Sequence, residues 1–126
     1  MVHSLAIIPI NSNIVSFSKD SAINLWQHKK LNYLTKLTGK QKGSINGLKF
    51  LNNGDLATCS SDNSILVWDM NTLAIKSNNL AHNRSCLSLK LLNNGNLVSS
   101  SQDKSFKIWN TDLFYNISTV KGFKND

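Results

Sequence analysis

The chain has 126 residues, 40% of them hydrophobic, enough for one domain with a real core and too few for two. Its net charge of +7 favours acidic partners, but the basic residues are mostly scattered. No stretch approaches the ~20 apolar residues of a membrane span, and the start lacks the basic region of a secretory signal, so a cytoplasmic or nuclear protein is expected, with no membrane partner.

In chain order, Ser4 to Ile8 reads as a first short strand. A turn follows near Ile10–Asn13, then Ser16 to Gln27, which holds Ser18, Asp20 and Trp26. Lys29, Lys30, Lys36, Lys40 and Lys42 form the one basic cluster. They read as a solvated edge strand kept soluble by lysine, since no aromatic platform for bases is interleaved with them. His28, between Gln27 and Lys29, reads as a solvated turn residue.

Ile45 to Phe50 is the next strand, closed by a turn at Asn52-Asn53-Gly54-Asp55. Asn-Gly is a hairpin signal because both residues tolerate positive φ. Leu56 to Ser60 is a strand, Ser61 to Ser64 a tight turn, and Ile65 to Trp68 a strand. Met70 to Thr72 turns again, and a fourth strand begins at Leu73. Leu92-Asn93-Asn94-Gly95 then repeats Leu51-Asn52-Asn53-Gly54, and Leu97, Ser105 and Trp109 repeat Leu56, Ser64 and Trp68. Phe114 to Val120 reads as the last strand. Four strands per about 41 residues is the period of a propeller blade.

The three tryptophans carry the repeat. Trp26, Trp68 and Trp109 each follow an Asp by six residues: Asp20, Asp62 and Asp103. Each Asp follows Ser16, Thr58 or Ser99 by four residues and Ser18, Ser60 or Ser101 by two. The segment Thr58 to Asp69, with Ser16 to Gln27 and Ser99 to Asn110, resembles the end of a WD40 repeat. Trp68-Asp69 keeps the family's dipeptide; Trp26-Gln27 and Trp109-Asn110 relax it.

That resemblance implies an all-β fold: three four-stranded antiparallel blades in an open arc of a β-propeller. They form one repeat region, 1–126, with blades over about 3–38, 44–80 and 85–120. It also implies a structural tetrad of His, Ser/Thr, Asp and Trp in each blade. Carried over, the third blade has His82, Ser99, Asp103 and Trp109. The second has Thr58, Asp62 and Trp68, but its loop Gly39-Lys40-Gln41-Lys42 lacks a His; either Lys40 pairs with Asp62 or the network is open there. The first has Ser16, Asp20 and Trp26, and His3 aligns with Ile45 and Cys86, away from the tetrad position.

A Ser–His–Asp set also invites a hydrolase reading. The serine lies inside a strand and not on a nucleophile elbow, and the set recurs as an architectural unit. No phosphate loop or metal-ligand spacing is present, so neither enzyme activity nor a cofactor is expected. Cys59 and Cys86, without CxxC spacing, read as small core residues in a reducing compartment.

The family's binding face implies a protein-interaction scaffold, with candidate partner-binding residues Lys19, Ser61 and Gln102 before the turn aspartates and Ser44 and Arg84 before the inner strands. Expected partners are other proteins or peptides. Three blades do not close a ring, so the arc is expected to be a fragment, to pair with itself, or to complete a partial propeller in another chain. The charge keeps nucleic acid or a phospho-ligand as the alternative.

Overall fold

The computed structural model describes residues 2–7, 14–18, 23–27, 33–37 and 43–122. Within them lie twelve strands. The first sheet is β1 (Val2–Ile7), β2 (Ile14–Ser18), β3 (Ile23–Trp26) and β4 (Tyr33–Leu37). The second is β5 (Ile45–Phe50), β6 (Leu56–Ser60), β7 (Ser64–Asp69) and β8 (Ala74–Leu80). The third is β9 (Cys86–Leu91), β10 (Leu97–Ser101), β11 (Ser105–Asn110) and β12 (Tyr115–Lys121). Each sheet is an antiparallel meander in sequence order, and the three form an open arc.

The arc has two apolar seams. In the first, Val15, Phe17, Ile23 and Leu25 of the first sheet meet Ile45, Leu56, Leu66 and Trp68 of the second. In the second, Ala57, Cys59, Ile65 and Val67 meet Cys86, Leu89, Leu97 and Trp109 of the third. Paired residues on adjacent strands share a face. Val15 pairs Leu25 and Phe17 pairs Ile23, as Ala57 pairs Val67 and Cys59 pairs Ile65, so the same register positions face forward in both sheets. The middle sheet is covered on both sides, and all five residues of β6 are buried. In β10 burial alternates instead. At the second seam the backbones approach closely. A Cβ on Gly47 would lie 2.8 Å from Cys59 Sγ and 3.3 Å from the Leu89 nitrogen, which is why only glycine fits there. Cys59 and Cys86 are free and fully buried. The Cys86 thiol beside it and burial both push the Cys59 thiol up, so it stays protonated.

Several local expectations are corrected. Only glycine takes positive φ in the Asn-Gly turns, at Gly54 and Gly95 (φ 90 in each). The asparagine acts through its side chain: Asn53 Oδ1 accepts from the Asp55 N–H at 2.9 Å, and Asn94 Oδ1 accepts from the Asn96 N–H. The loops span five residues, 51–55 and 92–96, so the first includes Leu51 as well as the expected Asn52 to Asp55.

The outer strands start one residue late. Leu73 and Phe114 are left-handed, with φ 62 and φ 50, and end the loops before β8 and β12. Asp69 Oδ1 accepts from the Asn71 and Thr72 N–H groups, and Asn110 Oδ1 accepts from Asp112 and Leu113, which winds each loop tightly. Side-chain packing offsets the strain: Leu73 joins the first core, and Phe114 stacks on Trp109 at 5.1 Å. The first strand is Val2–Ile7, not Ser4 to Ile8, and β7 extends to Ser64 and Asp69.

His3 does not align with Ile45 and Cys86. Val2 does: it pairs Ser18 as Ile45 pairs Ser60 and Cys86 pairs Ser101. The connection from Ile7 to Ile14 is six residues long where the others have five, so counting back from the tryptophan stops one residue short.

Candidate functional site

The most developed polar cluster is at the start of the third sheet. His82 is 3% exposed and Ser99 fully buried. His82 Nε2 lies 2.8 Å from Ser99 Oγ, and Trp109 Nε1 donates to the same oxygen at 2.9 Å. His82 Nδ1 lies 3.0 Å from Asp103 Oδ2 and 3.2 Å from Ser105 Oγ. One proton arrangement satisfies every group: Nδ1–H donates to Asp103, and the Ser99 hydroxyl accepts from Trp109 and donates to Nε2.

Asp103 is held as an acceptor. Its oxygens take the Ser105 hydroxyl, the Ser105 N–H at 2.9 Å and the Asn83 N–H at 3.1 Å. Burial opposes its ionisation, but the hydrogen bonds from Ser105, Asn83 and His82 outweigh that and hold its carboxyl well below the usual range. For His82, burial lowers the pKa and outweighs the attraction of Asp103, so the ring is neutral.

The preceding sheet helps to place His82. Asn63 sits in the β6–β7 turn with φ 75, a conformation asparagine tolerates better than most residues. Its carbonyl accepts from the Ala81 N–H at 3.0 Å and the His82 N–H at 3.2 Å. The histidine therefore stands between a turn of the second sheet and a turn of the third.

Among the described residues the other sheets show part of this arrangement. Trp68 Nε1 donates to Thr58 Oγ1 at 3.1 Å, and Trp26 Nε1 to Ser16 Oγ at 3.0 Å. Asp62 Oδ1 accepts from the Ser64 N–H at 2.9 Å and from its hydroxyl. Asp20 and Lys40 lie outside the described residues. By spacing in the sequence, Gln41 corresponds to His82, four residues before Ile45 as His82 is before Cys86, and it too lies outside them. Sequence reasoning left Ser105 and Asn63 without a role. The recurrence of Ser64 at Ser105 was the available signal for the first; a backbone carbonyl leaves none.

The chemistry open to the cluster is narrow. The Ser99 oxygen is enclosed and engaged by two ring nitrogens, and no open position lies beside it for a substrate carbonyl. Its hydrogen bonding makes it a clamp on four chain segments.

That clamp sets a pH dependence. His82 titrates near 6.5 when unfolded and lower when folded. Below 6.5 the unfolded chain binds more protons, so acid favours it. Stability is full above that pH and falls as pH drops below it; Asp103, whose ordinary value is 3.8, adds a second loss in stronger acid. The urea midpoint is therefore lower at pH 5 than at pH 7.5. A midpoint that rose on acidification would contradict this assignment.

The candidate partner-binding residues fall into two groups. The Ser44 N–H is capped by Ser61 Oγ at 2.8 Å, so the Ser61 side chain, though exposed, already serves the fold. Arg84 and Gln102 are exposed and adjacent: Ser101 Oγ donates to the Arg84 and Ser85 carbonyls, and the Gln102 N–H donates to Ser85. Exposed Lys104 follows in the same turn. Lys19 lies outside the described residues.

Among known proteins, the sequence model of the family described as "WD domain, G-beta repeat" matches residues 31–69 and 75–110. No curated protein matches the sequence. The WD40 β-propeller domain of Doa1 superposes with a TM-score of 0.85 over 97% of this chain and 41% of that one, at 23% identity. The structure of U3-55K gives 0.86 over 96% and 39%, at 22% identity. The WD40 repeats of RRP9 give 0.87 over 98% and 39%, at 22% identity. At these identities the likeness shows the fold. The chain spans about two-fifths of the length of each structure. Among the described residues no helix is long and apolar enough to cross a membrane.

Proposed function

The chain belongs to the WD40 repeat family, and from that premise we propose that it is a non-catalytic scaffold binding other proteins or peptides through its loop face. The family is generally a non-catalytic interaction scaffold. The observation that carries the reading to this chain is the engagement of His82, Ser99 and Asp103 with one another and with Trp109, which commits this reactive-looking set to architecture. We place the chain in the cytoplasm or nucleus, a reading supported by the free, buried Cys59 and Cys86.

The residues proposed to meet a partner are Arg84, Gln102 and Lys104. They are exposed, lie on adjacent loops of the third sheet, and carry two positive charges beside an amide. Such a group suits an acidic peptide. Ser44 and Ser61 would border that surface as fixed loop backbone.

The test is binding to an immobilised library of acidic peptides, with mixed-sequence RNA in parallel across salt concentrations. Retained peptides should bind at least tenfold more weakly to the triple variant Arg84→Ala, Gln102→Ala, Lys104→Ala. Peptide binding unchanged in that variant would remove these residues from the proposal. Salt-dependent RNA binding with no peptide binding would replace the scaffold reading by the nucleic-acid one.

A further inference from the structure

The sequence contains two cysteines, and the fold brings both to one place. Cys59 lies on β6 of the second sheet, Cys86 opens β9 of the third, and both are fully buried in the second seam. β5 holds them together. Gly47 pairs Cys59 across the strands, and beside it Asn46 Nδ2 donates to the Cys86 carbonyl at 2.9 Å. The Cys59 sulfur occupies the space that a side chain at Gly47 would need, 2.8 Å from where a Cβ would lie. The same position is Ser4 in the first sheet and Ser88 in the third, so the glycine coincides with the sulfur. The two thiols are in hydrogen-bond contact across the seam.

Packing alone does not ask for sulfur here. At the first seam the corresponding positions hold Phe17 and Ile45, buried in an ordinary apolar core. Unreactive side chains therefore close a seam of this chain at the same register. At the second seam both positions carry a thiol, one from each repeat. A single buried cysteine behaves as a small hydrophobe. Two in contact share a reaction that neither has alone, because bonding needs only the closing of their sulfurs to about 2 Å by side-chain rotation.

We propose that Cys59 and Cys86 form a latent cross-link, which a small-molecule disulfide of the glutathione class converts into a disulfide joining the second repeat to the third. The chemistry balances in two exchanges. One cysteine gives up its proton, and its sulfur attacks the small disulfide, forming a mixed disulfide and releasing one small thiol. The other cysteine then gives up its proton and attacks the protein sulfur of that mixed disulfide, releasing the second small thiol. The protein loses two electrons and two hydrogens, and the small disulfide gains them.

Access sets the rate. The thiolate is the attacking form, and both sulfurs are fully buried, so the first exchange waits on an opening of the seam. A mixed disulfide has no room in the closed core. Reclosure therefore presents the second thiol and expels the small one, and the native seam selects the cross-link. In a reducing compartment the pair stays as thiols and responds only when the small disulfide accumulates. This pair is remote from the loop residues proposed to meet a partner, and it stands or falls without the scaffold reading.

The experiment exposes the folded 126-residue chain, without denaturant, to oxidised glutathione and follows its intact mass. The expected product is a single chain lighter by two hydrogens, with the segments of Cys59 and Cys86 joined after digestion and the β-sheet circular dichroism kept. Its urea midpoint should rise by about 1 M and return on reduction, since the bond restricts the unfolded chain. Cys86→Ala, treated in the same way, should show no rise; a rise there overturns the assignment of the pair. The proposal is also overturned by the unaltered chain alone if, once its buried amides have fully exchanged, it still carries both thiols, carries two glutathione adducts, or is linked to a second chain. A cross-linked chain with a lowered urea midpoint overturns the placement of the two sulfurs in the native seam.

Discussion

Trp68→Ala is expected to lower the unfolding free energy by about 3–5 kcal/mol, the range for truncating a buried tryptophan. Trp68 is 3% exposed and lies in the first seam, between both sheets that form it. Truncation removes the indole from that core and leaves Thr58 Oγ1, itself fully buried, without its donor at 3.1 Å. Small domains are stable by only about 5–15 kcal/mol, so the loss takes a large share of the margin. Trp68→Phe separates the two contributions. It keeps most of the packing, loses the N–H, and should cost about 1–3 kcal/mol. Trp26 is the internal control: it makes the same bond to Ser16 but is only half-buried, so Trp26→Ala should cost less than Trp68→Ala. Urea unfolding followed by circular dichroism measures all three. A Trp68→Ala loss below about 1 kcal/mol would show that the seam does not depend on this side chain.

His82→Ala carries the second large effect, about 3 kcal/mol, because two buried or nearly buried partners lose their hydrogen bonds together. Ser99 Oγ loses its acceptor at 2.8 Å, and Asp103 Oδ2 loses a donor at 3.0 Å. The ring is 3% exposed, so its removal also leaves a cavity. A purely steric role would give the same loss at every pH. The role described here does not: the variant should also lose the part of the acid sensitivity that begins below pH 6.5, while keeping the part due to Asp103 in stronger acid. An unchanged pH profile would mean that other groups set the acid sensitivity.

Much of the fold was legible because the repeat is written in residues with few substitutes. Trp68 and Trp109 need an N–H acceptor ten residues earlier, and Thr58 and Ser99 supply it. Such fixed offsets survive where the surrounding sequence drifts. The legible part stopped where lengths changed. One extra residue between Ile7 and Ile14 moved Val2 into the position assigned to His3. It also stopped where packing overrode local preference: Leu73 and Phe114 read as strand residues, and only the core each one enters explains a left-handed backbone. For the candidate site, the residue types of the third sheet were visible in sequence, whereas the placement of His82 through the Asn63 carbonyl depends on a backbone group and a neighbouring sheet.

That carbonyl has a dynamic consequence. Because Asn63 belongs to the second sheet and the amides of Ala81 and His82 lead into the third, neither amide is released while both sheets stay ordered. Hydrogen exchange at these two positions should report a shared opening of two repeats and not the fraying of one. In a linear array, such a bond belongs to the coupling between adjacent units and not to the stability of either. Ordering of either repeat therefore favours ordering of the other.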